Sequence, residues 1–516
     1  MASTAYQRLS ALDRSFLVFE DVNVHMHLGG VAIFDARPLT RPEGGLPIER
    51  IRQHIASRLH FAPRYRQRLA WVPLYNRPVW VDDANFDVSY HVRHSALPYP
   101  GDDGMLKSFT ARVMSEQLDR TKPLWEISII EGLHGTRMAM LVKTHHAVAD
   151  GISAFEIFSA LVSTTPEAIL EEPPPWKPQP EPTQWSLLRD ELVYQTTRPL
   201  VLARDAIEVL RAPNLLLTRA SEGMQALWDV FSTGFSRAPS TPLNQPIGRH
   251  RRFDWLALDL EEVKAVKSRL GGTVNDVVLT TVAGALRRFL LNRGAEVRGL
   301  EYRVIVPVSV RGEDERGVAN NRASAWLLTL PVGEPDPRRR FELVAKRTAK
   351  VKSLRQELAP VLLERAFEYS VPGALTLGMG LLTRLNPYNL IVTNVAGPSQ
   401  PFYFLEAPLI GGYPQVPLFE NQGLSVAIFS YRGTLGWGFN ADRELVPDLN
   451  RFVEATGAAF AELRDVAGVQ ARREPTADAE LDREPPVSFK RRPPVRQGRL
   501  RVAEGDSTTP RPQNRA

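Results

Sequence analysis

Two adjacent histidines, His145 and His146, follow the apolar run Met138-Ala-Met-Leu-Val-Lys143. They stand in the segment Thr144-His-His-Ala-Val-Ala-Asp-Gly151. Imidazole titrates near neutrality, so an accessible histidine at a strand end is suited to taking a proton from a hydroxyl. Side chains alternate across a strand, so the two rings should face opposite ways, one toward a cleft and one inward. Asp150 stands where a helix N-cap belongs, its carboxylate able to accept backbone N–H bonds, and Gly151 permits a close turn. On local chemistry three readings stand: a general base, a satisfied structural pair, and a metal site built from His145, His146 and Asp150. The last fits worst, because neighbouring histidines on a strand rarely converge on one ion and no second histidine cluster supports them.

The elements that must position these residues alternate between strand and helix. Met138–Lys143 reads as a strand, and Ile152 to Val162 continues as a helix with Phe155, Phe158 and Leu161 on one side. Further on, Asn275 to Leu290 reads as a buried helix, and 302–308, 389–394 and 424–430 read as strands. Between the two halves, residues 171–182 hold six prolines in twelve positions, an extended linker. A helical stretch from about Gln184 to Gly234 follows. Its apolar sets are Leu200, Ala203, Ile207, Leu210 and then Leu217, Ala220, Met224, Leu227, Trp228, Phe231. Pro199 and Pro213 are expected to divide it into shorter helices. The organisation expected is α/β (α+β): a first unit at 1–165, linker and amphipathic helices at 166–240, a second unit at 241–468, and a disordered basic tail at 469–516.

Composition narrows the chemistry. The chain has 516 residues, no cysteine and a net charge of +6. Without cysteine there is no disulfide, thiolate nucleophile, thiolate zinc site or cysteine-ligated iron–sulfur cluster, and a cytosolic setting fits. Residues 471–516 carry +4 of the charge, leaving +2 on the rest, so a nucleic-acid partner is not expected. No P-loop and no Gly-x-Ser-x-Gly elbow occurs. Gly436-Trp-Gly-Phe-Asn-Ala441 meets a loose dinucleotide pattern but reads better as a hairpin turn. The start lacks a signal-peptide core, and no run of about 18 apolar residues predicts a membrane span.

His-His-x-x-x-Asp-Gly is also the signature of acyltransferases related to chloramphenicol acetyltransferase and to peptide-synthetase condensation domains. Further segments resemble the bacterial wax ester synthase/diacylglycerol acyltransferases, in family order. They are Leu12–Leu17, Met26–Phe34, Arg120–Trp125, Pro242–Ile247, Thr273–Leu279, Pro307–Arg311 and Thr393–Pro398. The resemblance runs from about residue 8 to 465. One departure is Ala319-Asn-Asn321, where Gly-Asn is expected.

The resemblance implies two chloramphenicol-acetyltransferase-like halves with a tunnel between them. It implies His146 as general base, His145 as structural support and Asp150 as an orienting residue, with Arg311 its candidate partner. Asn275 would donate a hydrogen bond near the reacting carbonyl, and Asp276 would hold local structure, although a helix N-cap also explains both. It implies no metal and no bound cofactor. The co-substrate would be long-chain acyl-CoA, and the acceptor diacylglycerol or a fatty alcohol. Peripheral contact with the inner face of the plasma membrane or with lipid bodies, from the cytoplasm, is the expected setting. The competing readings are a condensation-type enzyme using a carrier-bound donor and a non-catalytic lipid-body protein.

Overall fold

The computed structural model describes residues 5–149, 151–167, 174–210, 237–309, 323–353 and 386–472. Side chains are described throughout these except at 151–152, 198–210, 308–309, 323–325 and 353. In chain order the first half contains β1 (Gln7–Arg8), α1 (Ala11–Phe19), β2 (His27–Asp35), α2 (Ile48–Arg58), β3 (Gln67–Val72) and β4 (Arg77–Asp82). It continues with α3 (Val88–His91), β5 (Val92–Ala96), α4 (Asp103–Met114), β6 (Trp125–Glu131), β7 (Arg137–His145) and α5 (Gly151–Leu161). The linker helix is α6 (Gln184–Leu210). The second half contains β8 (Arg251–Asp259), α7 (Leu260–Leu270), α8 (Val274–Asn292), β9 (Glu301–Ser309), β10 (Ala323–Pro331) and α9 (Pro337–Ser353). It ends with β11 (Leu390–Ala396), β12 (Tyr403–Phe404), β13 (Ala407–Gln415), β14 (Leu424–Tyr431), β15 (Thr434–Asp442) and α10 (Leu449–Val466).

Two six-stranded mixed sheets carry the molecule, in the orders β12-β13-β2-β7-β6-β5 and β10-β9-β11-β14-β15-β8. The expected strands and the buried helix near 275–290 are all present. Val277, Val278, Val282, Leu286 and Phe289 of α8 are buried in the core of the second sheet, with Val304, Val426 and Phe439. Each such side chain contributes roughly 1.5–3 kcal/mol. α8 begins at a capping box: Thr273 Oγ1 accepts from the Asp276 amide, and the Asp276 carboxylate accepts from the Thr273 amide at 2.8 Å.

The hairpin β12–β13 belongs in sequence to the second half but completes the first sheet, β13 running antiparallel to β2 with Gly412 opposite Ala32. The same strand lies directly against β15. A methyl group at Gly438 would fall 1.8 Å from the Pro414 carbonyl oxygen, and one at Gly436 2.3 Å from that of Gly412. This corrects the reading of 436–441 as a hairpin turn. The turn lies earlier, at Arg432-Gly433, and the alternating glycines form the face of β15 on which another backbone rests.

α6 is one helix across Pro199, not two. A proline inside a helix removes one donor without forbidding the turn. The Thr196 and Thr197 hydroxyls take up carbonyls of residues 192–194 just before it. The N-terminal part of α6 is packed on the small sheet β1-β4-β3. There Leu187 is buried with Val72, Val79 and Val81, and the fully buried Glu191 pairs with Arg8 and Arg77. The apolar sets at 200–210 and 217–231, Pro213 and the tail from 473 lie outside the described side chains.

Candidate active site

The histidine pair emerges where β7 ends between its two neighbours. His27, at the start of β2, is the register partner of His145. The His145 amide donates to the Leu124 carbonyl at 3.0 Å, and the His146 amide to that of Met26 at 2.7 Å. Two segments distant in sequence, 26–34 and 120–125, thus pin the backbone of the motif from either side. The chain then turns, with the Val148 amide donating to the His145 carbonyl and the Ala147 amide to His145 Nδ1 at 3.0 Å. An Nδ1 that accepts carries no proton, which leaves Nε2 as the ring nitrogen that bears the hydrogen. His145 is fully buried, whereas His146 is half-buried and stacked on Phe16 of α1, with ring centroids 3.9 Å apart.

Behind His145 lies a buried carboxylate. Glu20 Oε2 is 3.4 Å from His145 Nε2, and Glu20 Oε1 is 3.4 Å from His27 Nε2. Arg120 closes the cluster from outside with Nη2 at 2.8 Å. Burial pushes the Glu20 carboxyl up, but its contacts with His145, His27 and Arg120 outweigh that and hold the group well below the usual carboxylate range. Burial, with Lys143 nearby, keeps His27 well below the ordinary histidine range and therefore neutral. Sequence reasoning did not find Glu20, Phe16 or His27 as site residues. Each lay in or beside a segment matching the family, but their pairing with 145–146 spans a long separation in the chain.

The other expected residues fall in a second group. Asn275 is half-buried near the start of α8, and its Oδ1 accepts from Asn394 Nδ2 at 3.0 Å, at the end of β11. Asp276 is buried in the capping box, and its other oxygen accepts from the Thr348 hydroxyl of α9 at 2.6 Å. The structure therefore groups His145 and His146 on one half, and Asn275 and Asp276 on the other. Gly151 opens α5. Asp150, Arg311 and the Ala319–Asn321 departure lie outside the described residues. Among the described residues no three His, Asp or Glu side chains converge as a metal ion would require.

The surroundings of the motif turn are apolar and come from both halves. Val148 borders one cluster containing Phe16, Leu17, Leu124, Ile247 and Leu418, and another containing Phe404, Phe429 and Tyr431. Phe155 of α5 meets Phe429 of β14 at 5.4 Å, and Phe19 at the end of α1 meets Phe419 at 5.7 Å. A cavity of about 810 Å³, lined by Leu97, Met105, Phe109 and Arg112 among others, lies beside α4 and shares no residue with the histidine site.

Residues 9–278 match the wax ester synthase/diacylglycerol acyltransferase catalytic domain, and residues 319–464 match the WS/DGAT C-terminal domain. A putative diacylglycerol O-acyltransferase of Mycobacterium tuberculosis is 33% identical over 480 residues, covering 90% of this chain and 92% of that protein. A probable diacylglycerol O-acyltransferase of the same species, tgs2, is 31% identical over 468 residues, covering 89% and 98%. Among solved structures, the wax ester synthase/diacylglycerol acyltransferase from Marinobacter aquaeolei VT8 superposes with a TM-score of 0.64 at 28% identity, covering 90% of this chain and 100% of that one. The first condensation domain of the calcium-dependent antibiotic synthetase shares the fold, with a TM-score of 0.57 at 15% identity over 93% and 99% of the two chains. With its two mixed sheets, its His-His-x-x-x-Asp-Gly strand end and these likenesses over nearly its whole folded length, the chain belongs to the wax ester synthase/diacylglycerol acyltransferase family.

Proposed function

We propose that the protein transfers a long-chain acyl group directly from acyl-CoA to the hydroxyl of diacylglycerol or a fatty alcohol, with His146 as general base. The observation that carries this reading is the placement of His146: a half-buried imidazole at a strand end, backed by Phe16, where apolar clusters from both halves meet. A base is needed because a neutral alcohol is a poor nucleophile. In the step proposed, the His146 imidazole takes the hydroxyl proton while the alcohol oxygen attacks the thioester carbonyl carbon. The tetrahedral intermediate then collapses, the C–S bond breaks, and CoA leaves as a thiolate that recovers the proton from the imidazolium. A thiol of ordinary pKa about 8.5 leaves readily, so no acyl-enzyme is required.

Asn275 is our candidate donor to the developing oxyanion. Its Oδ1 is taken by Asn394, which turns the Nδ2 amide the other way. Asp276 supports the helix that carries Asn275. Asp150 is assigned an orienting role with Arg311 its candidate partner, and His145 a supporting one. The acceptors are insoluble, so the protein is placed at a membrane or lipid-body surface on the cytoplasmic side, in peripheral contact. No helix among the described residues is long and apolar enough to cross a bilayer. Thin-layer analysis of products from labelled acyl-CoA, offered diacylglycerol or hexadecanol, tests catalysis and acceptor choice together. Triacylglycerol or wax ester is expected, and transfer from an acyl-carrier protein but not from acyl-CoA would overturn the donor assignment.

A further inference from the structure

The nine-residue helix α1 and its C-cap reach both histidines at once. α1 is capped by Ser10, whose hydroxyl accepts from the Asp13 amide at 3.0 Å, and closes where the Glu20 amide donates to the Phe16 carbonyl at 3.2 Å. One turn of helix therefore separates the ring that covers His146 from the carboxylate that meets His145. That carboxylate is buried, with its side chain 2% exposed. An ionised group in that position is expensive unless each oxygen is matched. Both oxygens are: Oε2 faces His145 Nε2 and Arg120, and Oε1 faces His27 Nε2 and the Met26 amide at 3.3 Å.

We infer that Glu20 is a positioning residue for the reaction: it fixes His145 as the Nε2–H tautomer, and through it the turn that presents His146. The chain of contacts is continuous. The Glu20 carboxylate stands 3.4 Å from His145 Nε2 and favours a hydrogen on that nitrogen, which leaves Nδ1 to accept from the Ala147 amide on the far side of the ring. Ala147 is the residue after His146, so the hydrogen bond that closes the turn exists in only one tautomer of His145. The His146 amide is held at the other end by the Met26 carbonyl, and the Met26 amide is itself bound by Glu20. One carboxylate thus governs both ends of the dipeptide that carries the proposed base. His27 Nε2 stands 3.4 Å from the second oxygen in a ring kept neutral by burial, so the buried charge is balanced by Arg120 without a second cation.

This inference rests on the reading of His146 as the base, and its test separates the two. Nitrogen-15 NMR of histidine-labelled full-length protein, with His145→Gln used to assign the signal, reads the tautomer without any turnover. Wild-type His145 is expected as Nε2–H, and a Nδ1–H or doubly protonated ring overturns the inference whether or not any variant folds. Glu20→Gln keeps the shape but opposes an amide N–H to one imidazole donor. It is expected to lower kcat about 10- to 100-fold, with KM for acyl-CoA unchanged within about threefold, and to mix the His145 tautomers. Unchanged kcat, or a fall in kcat with the His145 tautomer intact, contradicts it. His146→Ala, measured alongside, fails on its own terms: if that variant stays active, the base assignment falls while the NMR result still decides the grip of Glu20 on His145.

Discussion

Asn275 and Asp276 are neighbours whose partners divide their work. The Asp276 carboxylate closes the capping box and binds Thr348, whereas Asn275 meets only the side-chain amide of Asn394 among the bonds described. Asp276→Ala is therefore expected to cost about 1–2 kcal/mol through the cap, the Thr348 hydroxyl keeping its bond to the Ala345 carbonyl, while activity per folded molecule changes little. Asn275→Ala should instead lower kcat by about 10²–10³ with a smaller loss of stability. Urea denaturation and kinetics on the same preparations separate them, and the reverse pattern would exchange the two roles. The cap was legible in the sequence because Thr273 and Asp276 stand three residues apart. Glu20 was not, since its partners His145, His27 and Arg120 become neighbours only through the pairing of β2, β7 and the residues before β6.

Among the elements, β13 and β15 carry the joint between the sheets. Backbone lies on backbone there because Gly436 and Gly438 present no side chain to β13. Gly438→Ala places a methyl group against the rigid Pro414 carbonyl and is expected to destabilise by about 1–3 kcal/mol or more. Gly457→Ala, on α10 with open space around it, is the control and should be neutral or stabilising. Equal unfolding midpoints for wild type and Gly438→Ala would show that the two strands are not in contact. The strands themselves were readable from their runs of β-branched and aromatic residues. That β13 leaves its own half was not, because an apolar strand bears no mark of which sheet will receive it. Pro199 misled in the opposite direction: a local breaker was outweighed by a helix already fastened through Leu187 and Glu191.

At the scale of the whole molecule, two properties follow from where charge is buried. His25, His27, His54 and His91 are all held below the ordinary histidine value by burial. Below about pH 6.5 the unfolded chain takes up protons there that the folded chain refuses, so stability must fall as pH falls. Glu20 acts in the same direction lower down: its contribution is complete above its ordinary value of 4.5 and drains away beneath it. Urea midpoints should decline between pH 7.5 and 5, and decline further below 4.5; a flat profile from 7.5 to 5 would contradict the neutral buried histidines. Charge along the chain makes the second prediction. Because residues 471–516 hold +4 of the net +6, their removal should weaken binding to anionic vesicles and flatten its salt dependence, and unchanged binding would place the contact elsewhere. The most direct test of the whole account is a single assay: labelled long-chain acyl-CoA with diacylglycerol, comparing wild type with His146→Ala at matched folded concentration. Wild type should form triacylglycerol and the variant should form none above background while unfolding at the same midpoint; a well-folded variant with near-wild-type turnover would contradict base catalysis by His146.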